Sequence, residues 1–172
     1  SFAADVVHLA ADLGFDAVWT ADDVAGKNGV FWSPKMFEEI VWPHVRTVAE
    51  AVRETGISWI CHSDGDIWEV LPDLVGLGIS ALNPIEPACM EIREVREAYP
   101  QLALFGNVDV DLLARGTPDQ VRQTVRRLIR DLGPSRRYGV ASGNSIPRYA
   151  NVANVRAMAQ AAAEFGRYPI AA

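Results

Sequence analysis

A histidine and two aspartates lie within five residues of one another in the segment HSDGD, residues 62–66. The segment follows an apolar run typical of a buried strand and precedes a run typical of a helix. A histidine beside carboxylates is suited to proton transfer, because its ordinary pKa is close to neutral, and the same groups are ligands for divalent metals. His62 and Asp64 are therefore the first candidates for chemistry.

Four more segments rich in polar groups follow predicted strands and read TADDVAG, NPIEP, GNVDVD and SGNSIPR. In α/β proteins the ligand site lies at the C-terminal ends of the parallel strands. These segments supply further candidates for substrate binding or catalysis, which are Asp22, Glu86, Asp109, Asn144 and Arg148. We expect the side chains of His62, Glu86 and Asp109 to approach the same cavity.

The candidates have different expected roles. Asp22 and Asp23 are adjacent and cannot face the same way, and Asp22 is assigned to the pocket. Asp109 either takes part in catalysis or holds its loop through backbone N–H groups. Arg148 is predicted to bind a substrate carboxylate, a ligand that guanidinium groups hold well.

The elements that position these residues alternate between short β-like and longer helical patterns. Strands are predicted over residues 17–20, 57–62, 79–83, 102–106 and 138–141. Helices are predicted over residues 2–13, 34–55, 67–76, 90–98, 118–132 and 152–165, with a break near Trp42 caused by Pro43. Such alternation predicts an α/β fold with a parallel sheet, either doubly wound or part of a TIM-type (β/α)8 barrel. About five βα units are visible, fewer than a complete barrel requires.

Composition narrows the class of protein. The 172 residues carry a net charge of −6, which argues against nucleic acid as a partner. No apolar run reaches the ~18 residues that suggest a membrane span. Cys61 and Cys89 have no CxxC spacing, which indicates a reducing compartment. We expect one cytoplasmic domain over residues 1–172.

Several of these segments together resemble the C-terminal part of the uroporphyrinogen decarboxylase superfamily. The resemblance is carried by HSDGD, LFGNVD, LARGTPDQV and SGNSIPRYANVANV. It implies part of a TIM-type barrel and an enzyme of porphyrin biosynthesis. That enzyme, a lyase, decarboxylates a polycarboxylated tetrapyrrole in a pocket without a cofactor. The implied catalytic residues are His62, Asp64 and Asp109, and an anionic small molecule is the implied substrate.

The same superfamily contains zinc-dependent methyltransferases that act with corrinoid proteins, which gives an alternative function. In this alternative His62, Asp64 and Glu86 hold the zinc, and a corrinoid protein is the partner. That branch carries thiolate ligands where this chain has Asp64 and Asn144. Cys61 does not replace them, because strand alternation points it away from His62. A second alternative is a non-catalytic module that binds an anionic metabolite.

The expected oligomeric state follows from the number of strands. Five parallel strands leave two open edges, predicted at residues 17–20 and 138–141, and neither contains a proline or lysine that would block pairing. We therefore expect a homodimer, or a chain that forms one piece of a larger polypeptide.

Overall fold

A computed structural model describes residues 1–170 of the chain and shows an α/β architecture. Five strands in parallel pairings alternate with helices, as predicted, and they are fewer than the eight of a complete TIM barrel. The elements in chain order are α1 (Phe2–Asp12), β1 (Ala17–Ala21), β2 (Ala25–Gly26), β3 (Gly29–Val30), α2 (Pro34–Met36), a π-helical turn (Phe37–Val41), α3 (Trp42–Thr55), β4 (Ser58–His62), α4 (Leu71–Leu77), β5 (Ala81–Ile85), α5 (Ile92–Ala98), β6 (Ala103–Val108), α6 (Val110–Arg115), α7 (Pro118–Leu132), a 3-10 turn (Gly133–Ser135), β7 (Tyr138–Ser142) and α8 (Val152–Phe165).

The predicted helix over residues 34–55 is interrupted where the proline indicated. A π-helical turn, Phe37–Val41, separates the short α2 from α3, which begins at Trp42. Pro43 has no amide hydrogen to donate to the preceding turn, so a continuous α-helix cannot pass through it. The predicted break near Trp42 is confirmed.

The helix predicted over residues 67–76 begins later than expected, at Leu71. Pro72 explains the difference, because proline is tolerated in the first turn of a helix but not in its interior. Residues 67–70 form a turn instead, and Asp66 accepts a hydrogen bond from the backbone amide of Trp68 at 3.0 Å.

Besides the 3-10 turn, two features were not predicted from the sequence. One is the hairpin of β2 and β3, which pair antiparallel around Lys27 and Asn28. The dipeptide Asn28-Gly29 is a strong hairpin signal that the strand–helix alternation obscured. The other is α6, only six residues long, which starts directly after Asp109.

The chain divides into two compact units, Ser1–Asn83 and Pro84–Ala172. In the first unit β4 pairs in parallel with β1 and with the start of β5. In the second unit β6 and β7 form a parallel pair. That the chain is one domain stays a prediction. Within residues 1–170, no helix combines the length and the apolarity needed to cross a membrane.

Helix α7, in the second unit, has one buried apolar face and one exposed polar face. Helix α7 buries its apolar residues, which are Val121, Val125, Leu128, Ile129 and Leu132. The arginines at positions 126, 127 and 130 of this helix lie on the exposed surface. Thr117 and Gln120 form the capping box that the sequence indicates at the start of α7.

A buried asparagine fixes the end of α6. Asn154, on α8, is fully buried, and its Nδ2 donates to the carbonyl oxygens of Leu112, Leu113 and Gly116 at 3.4, 3.1 and 2.8 Å. The last carbonyls of a helix have no partner within the helix itself, so Asn154 supplies the missing donors.

We expect Asn154→Ala to lower the free energy of unfolding by about 1–3 kcal/mol, because buried carbonyl groups lose their donor. Asn154→Asp should cost more, since it places a carboxylate against three carbonyl oxygens. Gln123→Ala, at an exposed position of α7, is the control and should change stability by less than about 0.5 kcal/mol. Chemical denaturation measures all three. Equal losses for Asn154→Ala and Gln123→Ala would contradict the role of Asn154.

Candidate functional site

His62 is the last residue of β4, and the strand register determines its neighbours. It pairs with Ala21 of β1 and with Asn83 of β5. Trp59 and Cys61 are buried on one face of β4, whereas Ile60 and His62 belong to the other face. The histidine therefore lies on the face and at the strand end that the sequence predicted.

Three polar side chains surround the imidazole of His62. Its Nδ1 lies 3.0 Å from Asn83 Oδ1, and its Nε2 lies 3.8 Å from Asp23 Oδ1 and 3.9 Å from Asp64 Oδ1. Because Asn83 Oδ1 can only accept a hydrogen bond, Nδ1 donates and Nε2 faces the two carboxylates. We call Asp23, His62, Asp64 and Asn83 the His62 cluster.

The loop that carries Asp64 is held by backbone contacts. The amide of Asp64 donates to Asp23 Oδ1 at 2.9 Å, and the amide of Asp66 donates to the carbonyl of Gly26 at 3.0 Å. Gly65 has a φ of +86°, and a Cβ at this position would lie 2.7 Å from the Gly26 carbonyl oxygen. The loop thus packs against the β2–β3 hairpin at a distance that only glycine permits.

An exposed aromatic ring lies beside the His62 cluster. The ring centroids of Trp19 and His62 are 6.3 Å apart, with an angle of 33° between the planes. Trp19 lies on β1, an edge strand of the sheet, and its side chain is 55 % exposed. Trp19 therefore offers a flat apolar surface next to the imidazole.

Cys61 is buried on the opposite face of β4, as predicted. Burial raises the pKa of its thiol to about 11, and a hydrogen bond with Thr20 partly offsets that effect. Because Cys61 lies on the other face of β4, it does not belong to the group of side chains around His62.

A second set of polar residues lies in the unit that starts at Pro84, and we call it the Glu86 cluster. Asn144 Nδ2 donates to Glu86 Oε1 at 2.9 Å, and Cys89 Sγ lies 3.3 Å from Glu86 Oε2. The two predicted substrate-binding residues Glu86 and Asn144 are thus hydrogen-bonded to each other. Gly143 precedes Asn144, and a Cβ there would lie 2.8 Å from the ring of Pro87.

The remaining predicted residues have the following positions. Asp22 is exposed, and the carboxylate beside His62 belongs to Asp23. Asp109 accepts a hydrogen bond from the amide of Asp111 at 2.8 Å and caps α6. Arg148 is exposed in the loop that follows β7. A catalytic role for Asp109, substrate binding by Asp22 and Arg148, and a cavity shared by His62, Glu86 and Asp109 stay predictions.

Sequence reasoning did not select Asp23 and Asn83. Both belong to the polar segments at the strand ends, so the sequence showed that a carboxylate and an amide lie there. What was missing was the register, because only the alignment His62 to Asn83 shows which side chains become neighbours.

The parallel strands, the alternating helices and the polar strand ends define a protein of the TIM-barrel class. A methyltransferase from Methanosarcina mazei has a similar structure, with a TM-score of 0.71, 22% sequence identity, and coverage of 95% of this chain and 48% of that chain. At this identity the likeness concerns the fold alone.

The sequence comparison identifies the family. The model of the uroporphyrinogen decarboxylase (URO-D) family matches residues 1–165, and the chain belongs to this family. A protein described as uroporphyrinogen decarboxylase, from Anaeromyxobacter dehalogenans (strain 2CP-C), is 31% identical over 129 residues, which are 75% of this chain and 36% of that protein. The chain thus spans half or less of the length of these two proteins.

We expect Gly65→Ala to destabilise the chain by about 1–3 kcal/mol, because the new methyl group meets backbone atoms and the residue keeps a positive φ. Gly76→Ala is the matched control: it lies in α4, and its Cβ would meet nothing within 4 Å. There alanine should stabilise by roughly 0.5–1 kcal/mol through its higher helix propensity. Thermal and chemical unfolding test both variants, and a neutral Gly65→Ala would disprove the close approach.

Proposed function

We propose that the chain forms part of the active site of a lyase that decarboxylates a polycarboxylated tetrapyrrole. Membership of the URO-D family and the curated relative support this proposal. The observation that carries it is the orientation of His62, whose Nδ1 is bound by Asn83 while Nε2 faces two carboxylates.

This arrangement suits the proton transfer that decarboxylation requires. When the bond to the carboxyl carbon breaks, CO2 leaves and the electron pair stays on the remaining carbon, which then takes a proton. In this proposal Nε2 of His62 donates that proton, and the carboxylate oxygens of Asp23 and Asp64 lie 3.8 and 3.9 Å from the same nitrogen. The hydrogen bond to Asn83 keeps the imidazole ring in one orientation, so that Nε2 faces the substrate carbon in this proposal.

Other residues bind the substrate in this proposal. The ring of Trp19 provides a surface on which a pyrrole ring stacks beside His62. Glu86, oriented by Asn144, accepts hydrogen bonds from pyrrole N–H groups, and Asp22 contributes a further carboxylate. Arg148 binds a carboxylate arm of the substrate.

We expect His62→Gln to lower the rate of decarboxylation by about 10²–10⁴-fold, which is the usual contribution of a general acid. His44→Gln is the matched control, since His44 is exposed on α3. Asn83→Ala should lower kcat by a smaller factor and leave KM nearly unchanged, because it only frees the ring. The measurement is chromatography of the porphyrins formed from a uroporphyrinogen. Full activity of folded His62→Gln would refute the assignment.

A second function, a metal-dependent methyltransferase, is favoured by a different feature of the His62 cluster. Ligand atoms of Asp23, His62 and Asp64 all lie within 4.8 Å of one another. Acidic side chains outnumber basic ones in residues 1–83, so this unit favours a cation electrostatically.

The donor set fits a divalent metal. One imidazole and two carboxylates match the three protein ligands of a catalytic zinc site with an open position. The third ligand would be Asp23, whereas the sequence suggested Glu86. Zinc bound there would activate the thiol that accepts the methyl group, and the methyl donor would be a corrinoid protein.

Metal analysis by plasma mass spectrometry separates the two functions. If the chain is a methyltransferase, zinc is stoichiometric in protein purified without chelators and is lost in His62→Ala and Asp23→Asn. Asp22→Asn should retain it, because Asp23 is the neighbour that meets His62. Decarboxylation that survives removal of all metal by a chelator would exclude this second function.

A further inference from the structure

A buried serine lies between the two residues that the sequence first selected for chemistry. Ser63 follows His62 and precedes Asp64, and it is 2 % exposed, whereas the residues on either side of it are half-buried. A buried hydroxyl group needs hydrogen-bond partners within the protein, because burial without them is unfavourable. The partners of Ser63 therefore show what its side chain does.

The hydroxyl of Ser63 has two backbone partners. Its Oγ accepts a hydrogen bond from the amide of Val24 at 3.1 Å and donates to the carbonyl of Asp64 at 3.0 Å. Val24 directly follows Asp23, so one hydroxyl joins the chain beside the first carboxylate to the residue that carries the second. A serine hydroxyl can accept and donate at the same time, whereas the methyl group of alanine can do neither.

A further contact closes a ring of hydrogen bonds around this hydroxyl. The amide of Asp64 donates at 2.9 Å to Asp23 Oδ1, the oxygen that lies 3.8 Å from His62 Nε2. The amide of Ser63 also donates to the carbonyl of Asn83 at 3.2 Å, and the side chain of Asn83 binds Nδ1 of the histidine. Ser63 is thus connected, directly or through one neighbour in the chain, to all four residues of the His62 cluster.

We propose that Ser63 is a positioning residue, which holds the carboxylates of Asp23 and Asp64 at their distances from Nε2 of His62. Without the hydroxyl, two backbone groups lose their partner, and the segments that follow β1 and β4 are no longer joined there. The carboxylates then lose their fixed positions beside the imidazole, whereas the ring of Trp19 is unaffected. The consequence for decarboxylation rests on the proposed function, in which Nε2 donates the proton.

The first test compares the kinetics of Ser63→Ala and Ser80→Ala. Ser80 is the matched control, because its Oγ also accepts a hydrogen bond from a backbone amide, that of Trp59 near the start of β4, at 3.3 Å. We expect Ser63→Ala to lower kcat of decarboxylation by about 10–10²-fold and to leave KM within about 2-fold, since small displacements of reacting groups have effects of this size. Ser80→Ala should change neither constant. Equal values of kcat for the two variants overturn the proposal.

A second test needs no substrate, so it examines Ser63 separately from the reaction. Amide hydrogen exchange is followed by NMR at Asp64, whose amide binds Asp23 and not Ser63, and at Val125, which is buried in α7. In Ser63→Ala we expect exchange at Asp64 to become faster by about 10-fold or more relative to Val125, because the local contact opens more often. In Ser80→Ala this ratio should stay unchanged.

An Asp64 amide that exchanges no faster in Ser63→Ala, or only in step with Val125, overturns the proposal, because the hydroxyl then contributes to general stability alone. If exchange responds as expected but the unchanged chain does not decarboxylate a uroporphyrinogen, the proposed function fails and the positioning role of Ser63 stands.

Discussion

The parallel register of β4 with its two neighbours is the constraint on which the His62 cluster depends. Backbone hydrogen bonds align His62 with Ala21 and Asn83, and side chains at aligned positions point to the same face. The hydrogen bond from His62 to Asn83 is a direct result. Asp23 arrives from the same side, because β1 ends at Ala21 and the chain then turns towards the loop that follows β4. A shift of one residue would send His62 to the buried face.

The loops around both clusters are positioned by close contacts between backbone segments. Gly65 packs against the hairpin of β2 and β3 in the first unit. In the second unit Gly106 has a φ of +111°, and a Cβ there would lie 2.8 Å from the amide nitrogen of Ile85. Asn107 follows with a φ of 70° and donates from Nδ2 to the Ile85 carbonyl at 3.4 Å. Main-chain contacts of this kind hold the segments in which Asp64 and Asn107 lie.

The His62 cluster offers nitrogen and oxygen atoms, whereas the Glu86 cluster also includes the sulfur of Cys89. Cys61 lies on the face of β4 opposite to His62, and burial raises the pKa of its thiol. Asn144 donates a hydrogen bond to Glu86. The hydrogen bond from the Asn144 amide fixes the orientation of the Glu86 carboxylate.

The amino-acid sequence by itself determined the class of fold and the kinds of groups at the strand ends. Periodicity, the capping box at Thr117 and the proline at position 43 act locally, so they could be interpreted without a structure. The sequence did not show that Asp23 and Asn83 are the neighbours of His62, and it left two roles open for Asp109. Nor did it show that α4 begins at Leu71, or that the apolar side chains of Phe2 and Leu9 on α1 are exposed. These features depend on strand register and on packing between segments distant in the chain, and only the tertiary structure decides them.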